Sequence, residues 1–238
     1  MEIDEYSNDS TIGNLSDCDD CLFLLDNEEF EYTPNVEELK PEINNIVSTA
    51  YLGCNLNLKN IALKIKNAEF NLNKSSSLIL TTNNKSISGT IFPNGKIICT
   101  GAKSENESKS NCIKFSKMLK KVGFKTQLKD FKIQNINASY EIKFKLSLID
   151  LYSKIHTLMN NNNNSKYFDY DNNNYCKYNK DVFSGIILYL HKSKISLLIF
   201  ESGKIVLSGA KKREELEETF KKLYPILTEC KYYDNIEK

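Results

Sequence analysis

One stretch of this sequence occurs twice, and the duplication limits what the chain can fold into more than any other feature. Ile91-Phe92-Pro93-Asn94-Gly95-Lys96-Ile97-Ile98-Cys99-Thr100-Gly101-Ala102-Lys103 returns, 108 residues on, as Ile199-Phe200-Glu201-Ser202-Gly203-Lys204-Ile205-Val206-Leu207-Ser208-Gly209-Ala210-Lys211. Asn94-Gly95 and Ser202-Gly203 are hairpin-turn dipeptides. The apolar alternation after each Lys fits a strand with one face buried. Each copy therefore reads as strand, tight turn, strand, then the start of a helix. An offset this long belongs to a duplicated domain of roughly 90 residues per half rather than to a short-period repeat array.

The duplication extends on both sides. At the same offset Ser75 meets Phe183, Leu78 meets Ile186, Ile79 meets Ile187 and Ile87 meets Ile195. Upstream, Asn45-Ile46-Val47 recurs 90 residues later as Asn135-Ile136-Asn137. The excess in the second half must then lie between Asn137 and Phe183, where residues 160–164 are all Asn and residues 169–175 are again Asn-rich.

The elements follow from this frame. Ile43 to Ala50 is a strand candidate, and Leu56, Leu58, Ile61, Ala62 and Ile65 have helical spacing. Strands are expected at Ala68 to Leu72, Leu78 to Thr82, Ile87 to Phe92 and Lys96 to Gly101. Ser104 with Glu107 three residues later is a capping box, opening a helix that ends near Val122 before Gly123. The second half repeats the order: strand Lys132 to Phe144, helix Leu146 to Leu158, strands around Tyr175 to Tyr178, Ile186 to Leu190 and Lys194 to Phe200. The second signature follows, then a helix from Lys212 to Tyr224 that Pro225 is expected to stop. Each half reads strand, helix, four strands, helix. Antiparallel hairpins with segregated helices mean an α+β sandwich, and two halves can share one sheet of about ten strands. One face of that sheet, including Ile98, Thr100, Val206 and Ser208, is left without helices. An apolar face with so little charge asks for a partner surface.

Charge sharpens the question. The formal net charge is +1, yet residues 1–40 hold 13 acidic residues against Lys40 alone, which leaves +13 on residues 41–238. An acidic tail on a basic body suits nucleic acid, and it also suits solubility. The seven Cys are scattered, as in a reducing compartment. Cys18-Asp19-Asp20-Cys21 has no second pair with which to bind a metal, and no metal or cofactor is expected. The acidic start is unlike a signal peptide, and no apolar run is long enough to span a bilayer. Expected boundaries are an acidic tail at residues 1–40, a first repeat at 41–127, a second at 128–231 with its insertion near 158–175, and a short tail at 232–238.

Five motifs carry a family resemblance. Asn45-Ile46-Val47-Ser48-Thr49, Leu52-Gly53-Cys54, Asn67-Ala68-Glu69, Cys99-Thr100-Gly101-Ala102-Lys103-Ser104-Glu105 and Asp130-Phe131-Lys132-Ile133-Gln134-Asn135 together resemble the TATA-box-binding protein family, over about Pro41 to Lys231. The resemblance implies a pseudo-twofold saddle: two tandem repeats, a ten-stranded antiparallel sheet, and helices on the convex face. It implies a nuclear general transcription factor whose concave sheet binds the minor groove of A·T-rich duplex, bends it with Phe wedges and nucleates assembly of the polymerase machinery. The minor groove shows mainly acceptors at A·T pairs, whereas G·C adds a protruding amino group that an apolar sheet would meet badly.

By the same resemblance, Asn45, Asn135, Thr100 and Ser208 would hydrogen-bond base edges, Val47, Ile98, Leu198 and Val206 would make apolar base contacts, and Asn137 would be a polar residue at a further base-contact position. Phe183 and Phe200 would be the second-half wedges and Phe92 one wedge of the first half. Lys74, Lys96, Lys103, Lys194, Lys204 and Lys211 would approach phosphates. Expected partners are general transcription factors A and B, TBP-associated factors, and a second copy of the chain when DNA is absent. Asp181, in the stretch before Phe183, and the helix residues Lys109, Lys114, Lys117, Lys120 and Lys121 would contact them. Composition alone also allows that lysine row to be an ordinary solvated helix face.

Five departures from the family pattern bear on function. Ser75 stands where the family has its first wedge Phe. Thr90 replaces a Leu beside it, Asn137 a Val at the centre, and Thr81 and Tyr189 replace Arg residues. A diverged relative with weak TATA preference, acting mainly as a platform for transcription factors, is the alternative these departures raise. An enzyme is not expected: related sheet modules occur in DNA glycosylases, but those need a helical catalytic domain for which no chain remains.

Overall fold

In the computed structural model, residues 39–70, 76–83, 86–160 and 173–232 are described. The expectations for the acidic tail with Cys18 and Cys21, for Lys74 and Ser75, for most of the Asn-rich insertion and for residues 233–238 fall outside them. Among the described residues, the first half supplies β1 (Glu42–Tyr51), α1 (Leu58–Lys64), β2 (Ala68–Phe70), β3 (Leu78–Thr81), β4 (Ser88–Ile91), β5 (Lys96–Ala102) and α2 (Glu105–Lys121). The second supplies β6 (Lys129–Glu141), α3 (Leu148–Asn160), β7 (Tyr175–Asn179), β8 (Phe183–Leu190), β9 (Ile195–Phe200), β10 (Lys204–Ala210) and α4 (Arg213–Glu229). This is the expected order, twice.

The strands form one antiparallel sheet in the order β2-β3-β4-β5-β1-β6-β10-β9-β8-β7. The order reads identically from either end once each strand is exchanged for its repeat partner. The pseudo-twofold passes between β1 and β6, where Ile46 pairs with Ile136. The sheet is the expected saddle, with its helices on the convex face.

The duplicated turns close alike, the Gly95 N–H donating to the Phe92 carbonyl and the Gly203 N–H to that of Phe200, each at 3.0 Å. Strand alternation then sends Ile97, Cys99, Ile205 and Leu207 into the convex-side core, all fully buried, while Ile98, Thr100, Val206 and Ser208 stay half-buried on the concave side. Each half has its own core. In the first, Phe115, Leu119 and Ile61 pack on Ile91, Ile97 and Leu80. In the second, Phe220, Leu223 and Leu227 pack on Ile186, Leu197 and Leu207. Leu39 and Ile46, from the start of the chain, join the second core.

Local signals account for the helix starts. Asn57 caps α1 by accepting from the Asn60 N–H at 3.2 Å, which places the start two residues after Leu56. Ser104 caps α2 by accepting from the Glu107 N–H at 3.1 Å. The Glu107 carboxylate reaches back to the Lys103 N–H at 2.8 Å, one residue beyond the expected box.

One expectation is corrected. Pro225 does not stop the last helix but lies inside α4, which runs on to Glu229. A proline removes one N–H and crowds the preceding turn. Here Ile226, Leu227 and Cys230 beyond it are buried in the second core. Burying such side chains is worth about 1.5–3 kcal/mol each, enough to offset a helix-interior proline of ~3 kcal/mol.

Candidate nucleic-acid interface

The concave face is built around two matching bulges. On β5 the register with β1 shifts between Ile46/Ala102 and Ser48/Cys99. On β10 the register with β6 shifts between Leu207/Ala138 and Ala210/Ile136. Gly101 and Gly209 sit in these bulges at φ +102° and +109°. A Cβ on either would lie 2.1 Å from a backbone oxygen, that of Ser86 or of Lys194, so no other residue fits.

Each bulge fixes an asparagine. The Gly101 N–H donates to Asn45 Oδ1 at 2.7 Å, and the Gly209 N–H donates to Asn135 Oδ1, also at 2.7 Å. With its oxygen committed, each side chain is oriented with the amide nitrogen as its remaining polar group, a donor only. Asn45 lies opposite Asn137 and Val47 opposite Asn135 in the β1–β6 pairing. The two donors therefore straddle the pseudo-twofold. Donors at this place complement a groove floor made of acceptors.

The second half differs at this point. Asn135 Nδ2 donates to Asn137 Oδ1 at 3.0 Å, whereas Val47, the first-half counterpart of Asn137, accepts nothing. One donor hydrogen of the pair is thus used within the protein. Thr100 Oγ1 is likewise engaged, with Ser88 Oγ at 2.9 Å.

Around these donors the face is mostly apolar and laid out in rows across the sheet. Val206, Leu198 and Ile187 are consecutive partners in the second half, and Ile98, Thr90 and Ile79 in the first. Ile79 and Ile187 belong to the face although only the signature strands were singled out from the sequence; the internal alignment that pairs them was the available signal.

At the second-half end, the Phe183 and Phe200 rings meet edge to face, with centroids 5.6 Å apart. Both rings sit over Gly185, where a Cβ would lie 3.1 Å from Phe183 and 3.2 Å from Phe200. Both are half-exposed, as is Phe92 at the corresponding first-half turn. The Gly185 counterpart, at the 108-residue offset, is the buried Ser77.

The lysines proposed for phosphates divide by exposure. Lys103, Lys194, Lys204 and Lys211 are exposed, and Lys96 is half-buried. Lys103 and Lys211 stand at equivalent helix entrances, where their N–H groups donate to Glu107 and Glu215. On the convex side, Lys109, Lys114, Lys117, Lys120 and Lys121 are all exposed on α2. Asp181 is exposed in the β7–β8 turn next to Val182, which is 82% exposed.

Among the described residues the thiols belong to the core side, not to this face. Cys99 is held well above the usual thiol range by its hydrogen bond with Cys112 and by burial. Burial pushes Cys176 up to about 12. Among the described residues no group of His, Cys, Asp or Glu could hold a metal ion, and no helix is long and apolar enough to cross a membrane.

Known proteins share this architecture. The family described as "Transcription factor TFIID (or TATA-binding protein, TBP)" matches residues 40–122 and 130–230, one segment per half. A TATA-box-binding protein of Acanthamoeba castellanii is 40% identical over 203 residues, 85% of this chain and 72% of that protein. TATA-box-binding protein 1 of Triticum aestivum is 41% identical over 189 residues, 79% of this chain and 74% of its own. The solved structure of Methanococcus jannaschii TBP aligns with a TM-score of 0.65 at 28% identity, covering 80% of this chain and 99% of that one.

Proposed function

The chain belongs to the TATA-binding protein family, and from that premise we propose that it is a general transcription factor that binds A·T-rich core-promoter duplex through the concave sheet. Minor-groove wedging is the established mode of the family. The observation that carries the reading is the pair of asparagine–glycine locks, which present amide donors on either side of the pseudo-twofold in an otherwise apolar face. Asn45 and Asn135 donate to adenine N3 or thymine O2. Thr100 and Ser208 take quasi-equivalent polar positions, and Val47, Ile98, Leu198 and Val206 make apolar contacts that a guanine amino group would disturb. Lys96, Lys103, Lys194, Lys204 and Lys211 neutralise phosphates as point charges.

Phe183 and Phe200 wedge into one end of the site and bend it. Phe92 wedges at the other end without a Phe at position 75, so the kink there is weaker. The bent complex, acting in the nucleus, is the platform on which the polymerase machinery assembles. Asp181 and its turn meet general factor B. The α2 lysines meet factor A and TBP-associated factors, and in the absence of DNA the concave face pairs with a second copy.

The test is affinity for a TATA duplex and for a matched G·C-rich duplex across a salt series, with bending read by fluorescence energy transfer. The expected result is a TATA preference of at least ~1,000-fold with a strong bend, the lower end of the range for sequence-specific DNA binders. Phe200→Ala should remove more of the bend than Phe92→Ala. Equal affinities with a steep salt slope would leave only phosphate-driven binding and a platform role.

A further inference from the structure

The rows of the concave face end differently in the two halves. In the second half, Val206, Leu198 and Ile187 lead outward to Lys177, and Ser208, Ser196 and Tyr189 lead outward to Tyr175. In the first half, the row Ile98, Thr90, Ile79 ends on Glu69. The row Thr100, Ser88, Thr81 ends beside Asn67, whose carbonyl accepts from the Thr81 N–H at 3.1 Å. Lys177 thus stands where Glu69 stands, and Tyr175 and Tyr189 where Asn67 and Thr81 stand. One outer edge is cationic and aromatic; the other is anionic and small.

The second-half edge is organised. Tyr175 and Tyr189 stack with centroids 5.2 Å apart and planes 29° from parallel. Lys177 Nζ lies 5.0 Å from the centre of the Tyr175 ring. Tyr175 is 42% exposed and Lys177 is exposed. Cys176 and Tyr178, the intervening residues of β7, pack against the core, so Tyr175 and Lys177 face the side opposite the helices. Stacking restrains two phenol groups at little further entropic cost, and the ammonium beside them supplies charge.

We propose that Tyr175, Lys177 and Tyr189 form a grip on the sugar-phosphate backbone of the bound duplex at the second-half end, with no counterpart at the first-half end. The proposal rests on the DNA-binding reading above. Its occupant is identified by charge and by continuity: the edge is positive, and it prolongs the same rows that carry the base-contacting residues. Lys177 pairs with one phosphate, and the tyrosine hydroxyls donate to phosphate oxygens. At the other end Glu69 repels the backbone, so this outer-edge grip acts at one end only.

The experiment uses the full chain and a TATA duplex with several base pairs of flanking duplex on both sides, titrated by fluorescence anisotropy over a potassium chloride series. Lys177→Ala should lower the slope of log affinity against log salt by about 0.9, the amount for one phosphate. Tyr175→Phe with Tyr189→Phe should weaken binding by at least about tenfold, the scale of hydrogen bonds to a charged acceptor. Bending should be unchanged in both variants. Glu69→Lys should raise the slope. A slope unchanged in Lys177→Ala, or changed equally by Glu69→Ala, would overturn the proposal. So would an unchanged slope accompanied by lost affinity for polyglutamate, which would make the edge a seat for an acidic polypeptide. A wild-type chain without TATA preference would defeat the promoter reading alone, because a phosphate grip is still read in the slope on any duplex that binds.

Discussion

The two halves share one backbone plan but fill it differently. In the first half Phe115 presses on Gly89, whose added Cβ would lie 2.8 Å from the ring, and Cys99, Cys112, Ser48 and Ser108 occupy the neighbouring layer. At the corresponding second-half positions Leu223 faces Leu197, and the neighbouring layer is Leu207, Phe220, Ala138 and Leu216. The aromatic ring has moved by one helix turn, and the sheet residue beneath it has changed size to suit. The second-half set is bulkier as well as wholly apolar, so neither volume nor chemistry is conserved between the halves. The first-half layer is satisfied by hydrogen bonds instead: Ser48 Oγ to Ser108 Oγ at 2.6 Å, and Ser48 Oγ to Cys112 Sγ at 3.8 Å. A duplicated fold can therefore diverge inside its cores without disturbing the shared sheet.

This contrast can be broken most directly in the cores. Phe220→Ala should destabilise the protein by about 3–5 kcal/mol, whereas Cys112→Ala, its first-half counterpart, should cost about 1 kcal/mol. Urea denaturation of the two variants would show it, and equal costs would mean that the halves are not packed differently in any energetic sense.

At the centre of the saddle the contrast can be erased. Asn137→Val makes the second half match Val47 and frees the Asn135 amide. We expect TATA affinity to rise about fivefold, the value of one hydrogen bond of ~1 kcal/mol. Val47→Asn should move it the other way. Anisotropy titrations at fixed salt would measure both, and a fall with Asn137→Val would show that Asn137 itself contacts DNA.

The smallest effect lies at the helix entrances. Ser104 caps α2 through its side chain, while Lys212 at the same place on α4 has no acceptor and leaves the turn to Glu215. Ser104→Ala should cost about 1 kcal/mol, and Lys212→Ser should gain about 0.5 kcal/mol. Thermal melts that moved in the same direction for both would contradict this difference.

Much of the architecture was legible because the signature is duplicated: turn dipeptides, strand alternation and the Ser104 cap are local chemistry, and recurrence separates them from chance. Pro225 was misread because a local rule was applied where burial of Ile226 and Leu227 overrides it. The asparagine–glycine locks escaped for a different reason. Asn45 and Gly101 are far apart in sequence, and only the sheet register brings them together. Their joint recurrence as Asn135 and Gly209 was the one available sign. The outer-edge contrast of Tyr175 and Lys177 with Asn67 and Glu69 follows from the same offset, but Tyr175 and Lys177 lie where the Asn-rich insertion rejoins the repeat, and no motif marks them.

The central strand pair has a consequence for how the molecule is made. β1 hydrogen-bonds β5 on one side and β6 on the other, and Leu39 and Ile46 belong to the core of the other half. Synthesis runs from the N-terminus at about 5–20 residues per second, so for a time on the order of seconds a nearly complete first half leaves the ribosome with its innermost strand as a bare edge. Such an edge invites strands from other chains. Exposed Glu42 and Asn44 at its leading end make it a poor template until β6 arrives. In a crowded polysome, the polar leading end of the strand that later marks the middle of the saddle keeps a neighbouring nascent chain from pairing with it.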